Sequence, residues 1–270
     1  MPKALRPAAM VLVLLVILGG CSTAQPSPTA DPAAAATLLG AAWDDRTPFR
    51  AGLVAAAQDI LEELPGASVY QIDLQIPAAL DVLAGRQSVR YTNQEGVPLQ
   101  AIYFQLFPNI AGGRTTISAA RVDGQAVTPA YEYGDSTMHL DLPAALQPGG
   151  QVVIDLEYTL DIPRDLGGNY GLYGYFEGLL VLDRFYPVIP VYDGSGWNAQ
   201  ELPPTGDLTY YDASFYLVRV TAPAALTLVA SGVEIARERA GQEQVVIFAA
   251  GPMRDFYLAA GEGLEAVSTT

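Results

Sequence analysis

The chain has very little of three residue types on which much protein chemistry depends. Of its 270 residues one is cysteine, one is histidine and one, Lys3, is lysine. A lone cysteine, Cys21, excludes an intrachain disulfide, so the fold must be held by its core. A lone histidine, His139, excludes a zinc site built on two or three histidines, and no HExxH occurs. It also restricts any Ser-His-Asp arrangement to His139, which lies in "TMHLDL". Alternation there sends Met138, Leu140 and Leu142 inward and leaves His139 outward beside Thr137 and Asp141, as a solvated surface residue. Positive charge is scarce too: 14 Lys and Arg stand against 29 Asp and Glu, a net charge of −15. Nothing supplies the basic stripe that phosphate contacts need, so no nucleic-acid partner is expected. The surplus acid reads as a soluble, self-repelling surface. No G-x-S-x-G elbow and no Walker A loop is present.

Long apolar runs are missing except at the start. "MPKALRPAAMVLVLLVILGG" places Lys3 and Arg6 before an apolar run from Met10 to Leu18. That run is shorter than the ~20 residues a membrane-spanning helix needs, and it suits a secretory signal. "LGGC" resembles a bacterial lipobox, which implies cleavage between Gly20 and Cys21 and diacylation of Cys21. An ordinary signal peptide followed by a chance cysteine is the alternative. Residues 1–20 are therefore expected to be a lipoprotein signal peptide. The Pro-rich, polar stretch after Cys21 makes 21–46 a flexible tether. The expected location is the extracytoplasmic face of a bacterial envelope, with the lipid on Cys21 holding the chain to a membrane.

Half of the residues are hydrophobic, ample for a core. In "RTPFRAGLVAAAQDILEELPG" Thr47 can cap, Pro48 suits a first helical position and Pro65-Gly66 stops the run. Phe49, Leu53, Ala57, Ile60, Leu61 and Leu64 recur at helical spacing, which predicts one amphipathic helix over 47–66. After Gly66 the period falls to two. "VYQIDLQI" puts Tyr70, Ile72, Leu74 and Ile76 on one face, and "VVIDLEYTLDI" does the same with Val152, Ile154, Leu156, Tyr158 and Leu160. Further short alternating runs, separated by turns such as "VDGQAV" and "LQPGGQ", predict an all-β fold, an antiparallel sandwich over 67–263. The Tyr- and Gly-rich insert from "GGNYGLYGYF" to "TYYD" is expected to wrap one edge of the sandwich or to form a face for a neighbour.

Few motifs carry chemistry. Gly261, Gly263 and Ala266 fit G-x-G-x-x-A after a strand, but no helix or second βαβ unit follows. "DGSGWN", Asp193 to Asn198, spaces oxygens as a calcium loop does yet lacks the closing acid, so a Gly-rich turn is the better reading. Acid pairs for a glycosidase come from distant loops and are not legible from spacing.

The ordered runs from Tyr70 to Gly263 resemble a known family. "YQIDLQI" is followed by "LAGRQSVRYTNQEGVPLQAIYFQLFPN", the "ARVDGQAV" hairpin and "HLDLPAALQPGGQVVIDLEYTL". Then come "FYPVIPVYDGSGWN", "LTYYDASFYLVRVTAP", "LVASG" and finally "AAGPMRDFYLAAGE". In that order they resemble the N-terminal domain of the aminopeptidase N family of zinc metallopeptidases. The resemblance implies a saddle-shaped antiparallel β domain that helps cover the substrate cleft of a thermolysin-like catalytic domain in cis. The family's Gly-x-Met-Glu-Asn strand and HExxH are absent here, so the resemblance implies no catalytic residue and no cofactor in this chain, with zinc expected only in a catalytic domain beyond it. At the family's pocket-lining glutamine this sequence has "LVLDRFYP", with no glutamine. Asp183, Arg184 and Tyr186 are the expected cleft-facing positions, with packing of the domain edge by Phe185 and Tyr186 as the alternative. Residues 264–270 are expected to lead toward a missing domain. A free-standing extracytoplasmic β-sandwich that binds a protein or glycan, presenting the aromatics of "NYGLYGYF", is the alternative function.

Overall fold

The computed structural model describes residues 42–166, 170–200 and 210–264. Gly20, Cys21, the leader, nearly all of the tether and the exit segment after Leu264 lie outside the described residues. No described helix is long and apolar enough to cross a membrane.

Period-two sequence becomes strand almost throughout. The first half supplies β1 (Val69–Gln75), β2 (Val82–Thr92), β3 (Leu99–Gln105), β4 (Arg114–Val122), β5 (Gln125–Ala126), β6 (Ala130–Glu132), β7 (Thr137–Leu146) and β8 (Gln151–Asp161). The insert adds β9 (Tyr173–Phe176), β10 (Leu179–Asp183), β11 (Tyr192–Asp193) and β12 (Gly196–Trp197). The last part gives β13 (Ser214–Pro223), β14 (Leu226–Ala230), β15 (Val233–Ala240), β16 (Glu243–Met253) and β17 (Tyr257–Glu262). They form an eight-stranded sheet in the order β15-β16-β13-β1-β2-β8-β4-β5, a four-stranded sheet β14-β17-β10-β9, a three-stranded sheet β3-β7-β6 and the β11-β12 hairpin. The protein is all-β, as its alternation predicts.

One pairing departs from the antiparallel expectation. β1 and β13 run parallel, from Val69 opposite Phe215 to Gln75 opposite Thr221. This pair welds the two halves of the large sheet together, and Asp73 and Arg219, which face each other in it, form a two-point ion pair. The β4–β5 turn follows local chemistry: Asp123 (φ 47°) and Gly124 (φ 78°) take the left-handed conformations of a tight hairpin. The Asp123 carboxylate accepts a hydrogen bond from the Val153 amide at 2.9 Å.

A single cluster of buried side chains joins all three larger sheets. It includes Ile72, Leu74, Val89, Ile154 and Leu160 from the eight-stranded sheet, Phe104 and Leu140 from the three-stranded sheet, and Leu182 and Leu258 from the four-stranded sheet. Burying each such side chain contributes about 1.5–3 kcal/mol. A smaller cluster occupies the opposite face of the large sheet. Val69, Phe215, Leu217 and Ala249 alternate with core residues along their strands and so point the other way, where Phe49 and Leu61 cover them.

The segment that supplies this cover is not the single helix predicted over 47–66. It is a 3-10 turn at Thr47–Gly52, a second at Ala55–Ala57 and a short α1 at Ile60–Glu63. Leu53 and Val54 are extended between the turns. The start is capped by Asp45, whose carboxylate accepts from the Thr47 amide, rather than by Thr47 itself. Of the predicted stripe only Phe49 and Leu61 are fully buried, and Ala57 is exposed. A helix of this length is marginal alone. Gly52 weakens it further, and docking two side chains on the sheet overrides the periodic pattern.

Candidate functional site

The insert between β8 and β13 concentrates the unusual side chains. β10 ends at Asp183, and Arg184 follows in a left-handed conformation (φ 44°) that non-glycine residues rarely take. That turn brings the Arg184 guanidinium back onto its neighbour, with Nε and Nη2 at 3.1 and 2.8 Å from Asp183 Oδ2. The guanidinium also lies over the Phe107 ring, 4.0 Å from its centroid. Burial alone would lower the Arg184 pKa, but the hydrogen bond and charge of Asp183, with Tyr211, leave it above its ordinary value. Nη1 is buried with no acceptor among the described residues. Asp183, Arg184 and Tyr186 are all buried, Tyr186 to 1% exposure, and Phe185 is fully enclosed. Tyr186 and Phe185 pack against core aromatics, which is the edge-packing role rather than an open cleft-facing one.

Downstream, the insert folds across the outer face of the three-stranded sheet. Gln105 at the end of β3 organises it: its Nε2 donates to Asn198 O at 3.1 Å and its Oε1 accepts from the Tyr211 hydroxyl at 2.6 Å. Burial pushes the Tyr211 phenol up to about 12, against the opposing charge of Arg184. Thr137 donates to Ala199 O, and Gln87, on the inward face of β2, donates to Pro187 O at 3.0 Å. Sequence patterning passed over both glutamines. Gln87 was visible as a polar residue on the inward register of Leu83, Gly85 and Val89, where a buried amide needs partners.

The covering insert changes His139. Its ring is stacked on Tyr103, 4.8 Å away, and Tyr103 stacks on Trp197 of β12. Its side chain is 20% exposed, with Nδ1 3.0 Å from Glu132 but out of line for a hydrogen bond. The solvated surface histidine expected from alternation is thus half-buried, because β3 places Tyr103 directly opposite it. The "DGSGWN" loop closes on itself: Asp193 accepts from the Ser195 amide and from the Asn198 side chain, a turn rather than a calcium loop. Gly261 is paired within β17 to Leu179 and Thr227, which leaves no phosphate cradle there.

Three tyrosines close the domain. Tyr70 and Tyr216 stack across the parallel pair at 5.0 Å, and Tyr186 meets both edge-on. Tyr70 Oη accepts from the Ile189 amide, Tyr186 Oη accepts from the Phe256 amide, and the Tyr216 hydroxyl donates to Arg254 O. "RDF" at 254–256 is therefore the latch of the last strand onto the core. Elsewhere, the outer face of the eight-stranded sheet carries a hollow of about 300 Å³ lined by Asp73, Arg86, Ser88, Arg121, Asp155 and Glu157. Its charged groups pair with each other, as Asp73 does with Arg219 and Ser88 with Asp155.

Among the described residues no group of three His, Cys, Asp or Glu side chains could hold a metal ion, so these residues do not fit a zinc site. The arrangement is that of a braced surface rather than of a reacting centre.

No family model matches the sequence, and no curated protein matches it. The fold does match solved structures. The M1 zinc metallopeptidase from Deinococcus radiodurans superposes with a TM-score of 0.50 and 20% identity, over 72% of this chain and 42% of that one. A mutant of it bound to a Tyr-Ser-Ala substrate gives 0.50 and 21% over the same shares. A two-domain M1 zinc metallopeptidase mutant bound to L-tryptophan gives 0.51 and 20%, again over 72% and 42%. The chain thus spans under half the length of these enzymes, and what it shares with them is a fold.

Proposed function

We propose that this chain is the non-catalytic N-terminal β domain of an aminopeptidase N-like zinc metallopeptidase, in a lipid-anchored form. It acts as a scaffold that covers part of a substrate cleft, while zinc and hydrolysis belong to a catalytic domain in cis. The observation that carries this reading is the shared fold over 72% of the chain with part of an M1 zinc metallopeptidase. The ordered motifs from Tyr70 to Gly263 point the same way. The anchor rests on the lipobox-like "LGGC" and on Cys21. The binding-module alternative draws less from "NYGLYGYF" than its composition offers: Tyr173 is buried at 1% exposure, leaving Tyr170 and Leu166 as its exposed apolar side chains among the described residues.

Reading the coding sequence beyond Thr270 in the native host tests the domain role directly. Continuation into Gly-x-Met-Glu-Asn and HExxH is the expected outcome; a stop codon there would favour the free-standing module. The purified 270-residue chain is expected to leave aminoacyl-p-nitroanilides intact, and chelator-sensitive cleavage by it would overturn the reading. Protein from its host should carry a diacylglycerol on Cys21, detectable by mass, and an unmodified N-terminus would remove the anchor.

A further inference from the structure

Arg90 is buried in an unusual way. It lies on β2 opposite Val69 and Val153, on the face of the large sheet that the N-terminal segment covers. Its side chain is 5% exposed. Nη1 donates to Asp44 Oδ1 at 2.6 Å, but Nε and Nη2 are buried and have no acceptor among the described residues. The Asp44 side chain is 84% exposed, and an ion pair to a solvated partner is weak. A second buried guanidinium, Arg46, lies close by; it sits over the Phe215 ring at 4.2 Å and donates to Trp43 O. Burial, and then the charge of Arg90, lower the Arg46 pKa.

The unmet pair of donors has a specific meaning. Nε and Nη2 form the side-on edge of a guanidinium, the fork that grips a carboxylate or phosphate with two parallel hydrogen bonds. Arg90 also lines a hollow of about 410 Å³, together with Ala42, Trp43, Asp44, Asp123 and Gln151. The acids nearby are poor substitutes for a bound anion. Asp123 is already engaged by the Val153 amide, while Asp44 and Glu62 are exposed and screened by water.

We infer that this hollow is an oxyanion site, in which the Nε–Nη2 edge of Arg90 takes a phosphate group and Arg46 adds charge beside it. The inference is independent of the domain role proposed above. Free phosphate and a lipid phosphate present the same chemistry to this edge, and the experiment separates them.

The full chain, kept in detergent, is titrated with inorganic phosphate at constant ionic strength while arginine Nε–H resonances are followed. The Arg90 resonance, assigned by its loss in Arg90→Lys, should shift saturably. Arg90→Lys keeps the charge but loses the fork, so its phosphate affinity, followed by calorimetry, should fall at least about tenfold. Asp44→Asn changes only an exposed side chain and should tighten phosphate binding, which keeps the test open if Arg90→Lys misfolds. In a parallel arm, vesicles containing phosphatidic acid are compared with phosphatidylcholine vesicles, with and without free phosphate. A phosphate shift without vesicle preference assigns the site to a soluble oxyanion; vesicle capture that free phosphate competes away assigns it to a lipid headgroup. Absence of both overturns the inference, as does a shift that chloride reproduces at the same ionic strength, the mark of an adventitious ion only.

Discussion

Replacing Gly85 with alanine should unbalance the centre of the large sheet. Gly85 lies on the inward face of β2 directly opposite Tyr158 of β8, whose ring is 2% exposed. An ideal Cβ on Gly85 would stand 2.2 Å from Tyr158 Cε2 and 2.3 Å from Cζ, far inside van der Waals contact. The ring therefore rests on the backbone of β2 and has no room to retreat within the core. If the strands part slightly, overpacking costs about 1–3 kcal/mol. If the ring is expelled, the loss approaches the roughly 3–5 kcal/mol of deleting a buried aromatic. Alanine returns about 0.5–1 kcal/mol by removing the entropic penalty of glycine in a strand. The net expectation is a loss of about 2–3 kcal/mol, which at about 2–4 °C per kcal/mol lowers Tm by roughly 4–12 °C. Urea unfolding followed by fluorescence measures it, with the m-value unchanged. In a Tyr158→Leu background the ring is gone, and Gly85→Ala should become neutral or stabilising. A loss below about 0.5 kcal/mol in the parent, or an equal loss in both backgrounds, would refute the clash.

Other perturbations address other contacts. Phe49→Ala removes the centre of the small cluster on the outer face; it should destabilise by about 2–4 kcal/mol and expose the 53–64 segment to limited proteolysis, with the β core still folded. Gln105→Leu strands the Tyr211 hydroxyl and the Asn198 carbonyl, a loss of about 1–3 kcal/mol that hydrogen exchange should localise to residues 188–199. Burial raises the pKa of the Tyr211 phenol from 10.0 to about 12, and those of Tyr70, Tyr173 and Tyr186 rise as well for the same first cause. The folded state holds these protons more tightly than the unfolded chain. Their contribution is full below pH 10 and is lost as pH rises through the folded values, so stability should fall progressively above pH 10. A flat stability profile between pH 10 and 12, with tyrosinate absorbance developing before unfolding, would contradict the burial of these hydroxyls.

Much of the strand content could be read without a structure. "VYQIDLQI" and "VVIDLEYTLDI" placed Tyr70, Ile72, Leu74, Ile154 and Tyr158 inside, and all five are buried. The hairpin at Asp123-Gly124 was equally legible, because left-handed conformations are a local cost that few residues tolerate. These features depend on neighbours in the chain. The 47–66 helix failed because its periodicity competed with a docking surface made of Phe215, Leu217 and Ala249, far along the sequence. The exposed reading of His139 failed for a similar reason: the insert that shields that face is held by Gln105 and Thr137.

What the sequence by itself determined, then, is the class of the fold, the inward and outward faces of its strands, and the absence of the residues a histidine-based zinc site or catalytic triad would need. Only the tertiary structure decided the parallel union of β1 with β13, the enclosure of Asp183, Arg184 and Tyr186, and the burial of Arg90 beneath the N-terminal segment. The physical reason is the range of the forces involved. Alternation and turn conformation are set by a few adjacent residues. A strand partner about 145 residues away, or the solvation of one guanidinium, is set by which surfaces bury the most apolar area once the whole chain has closed.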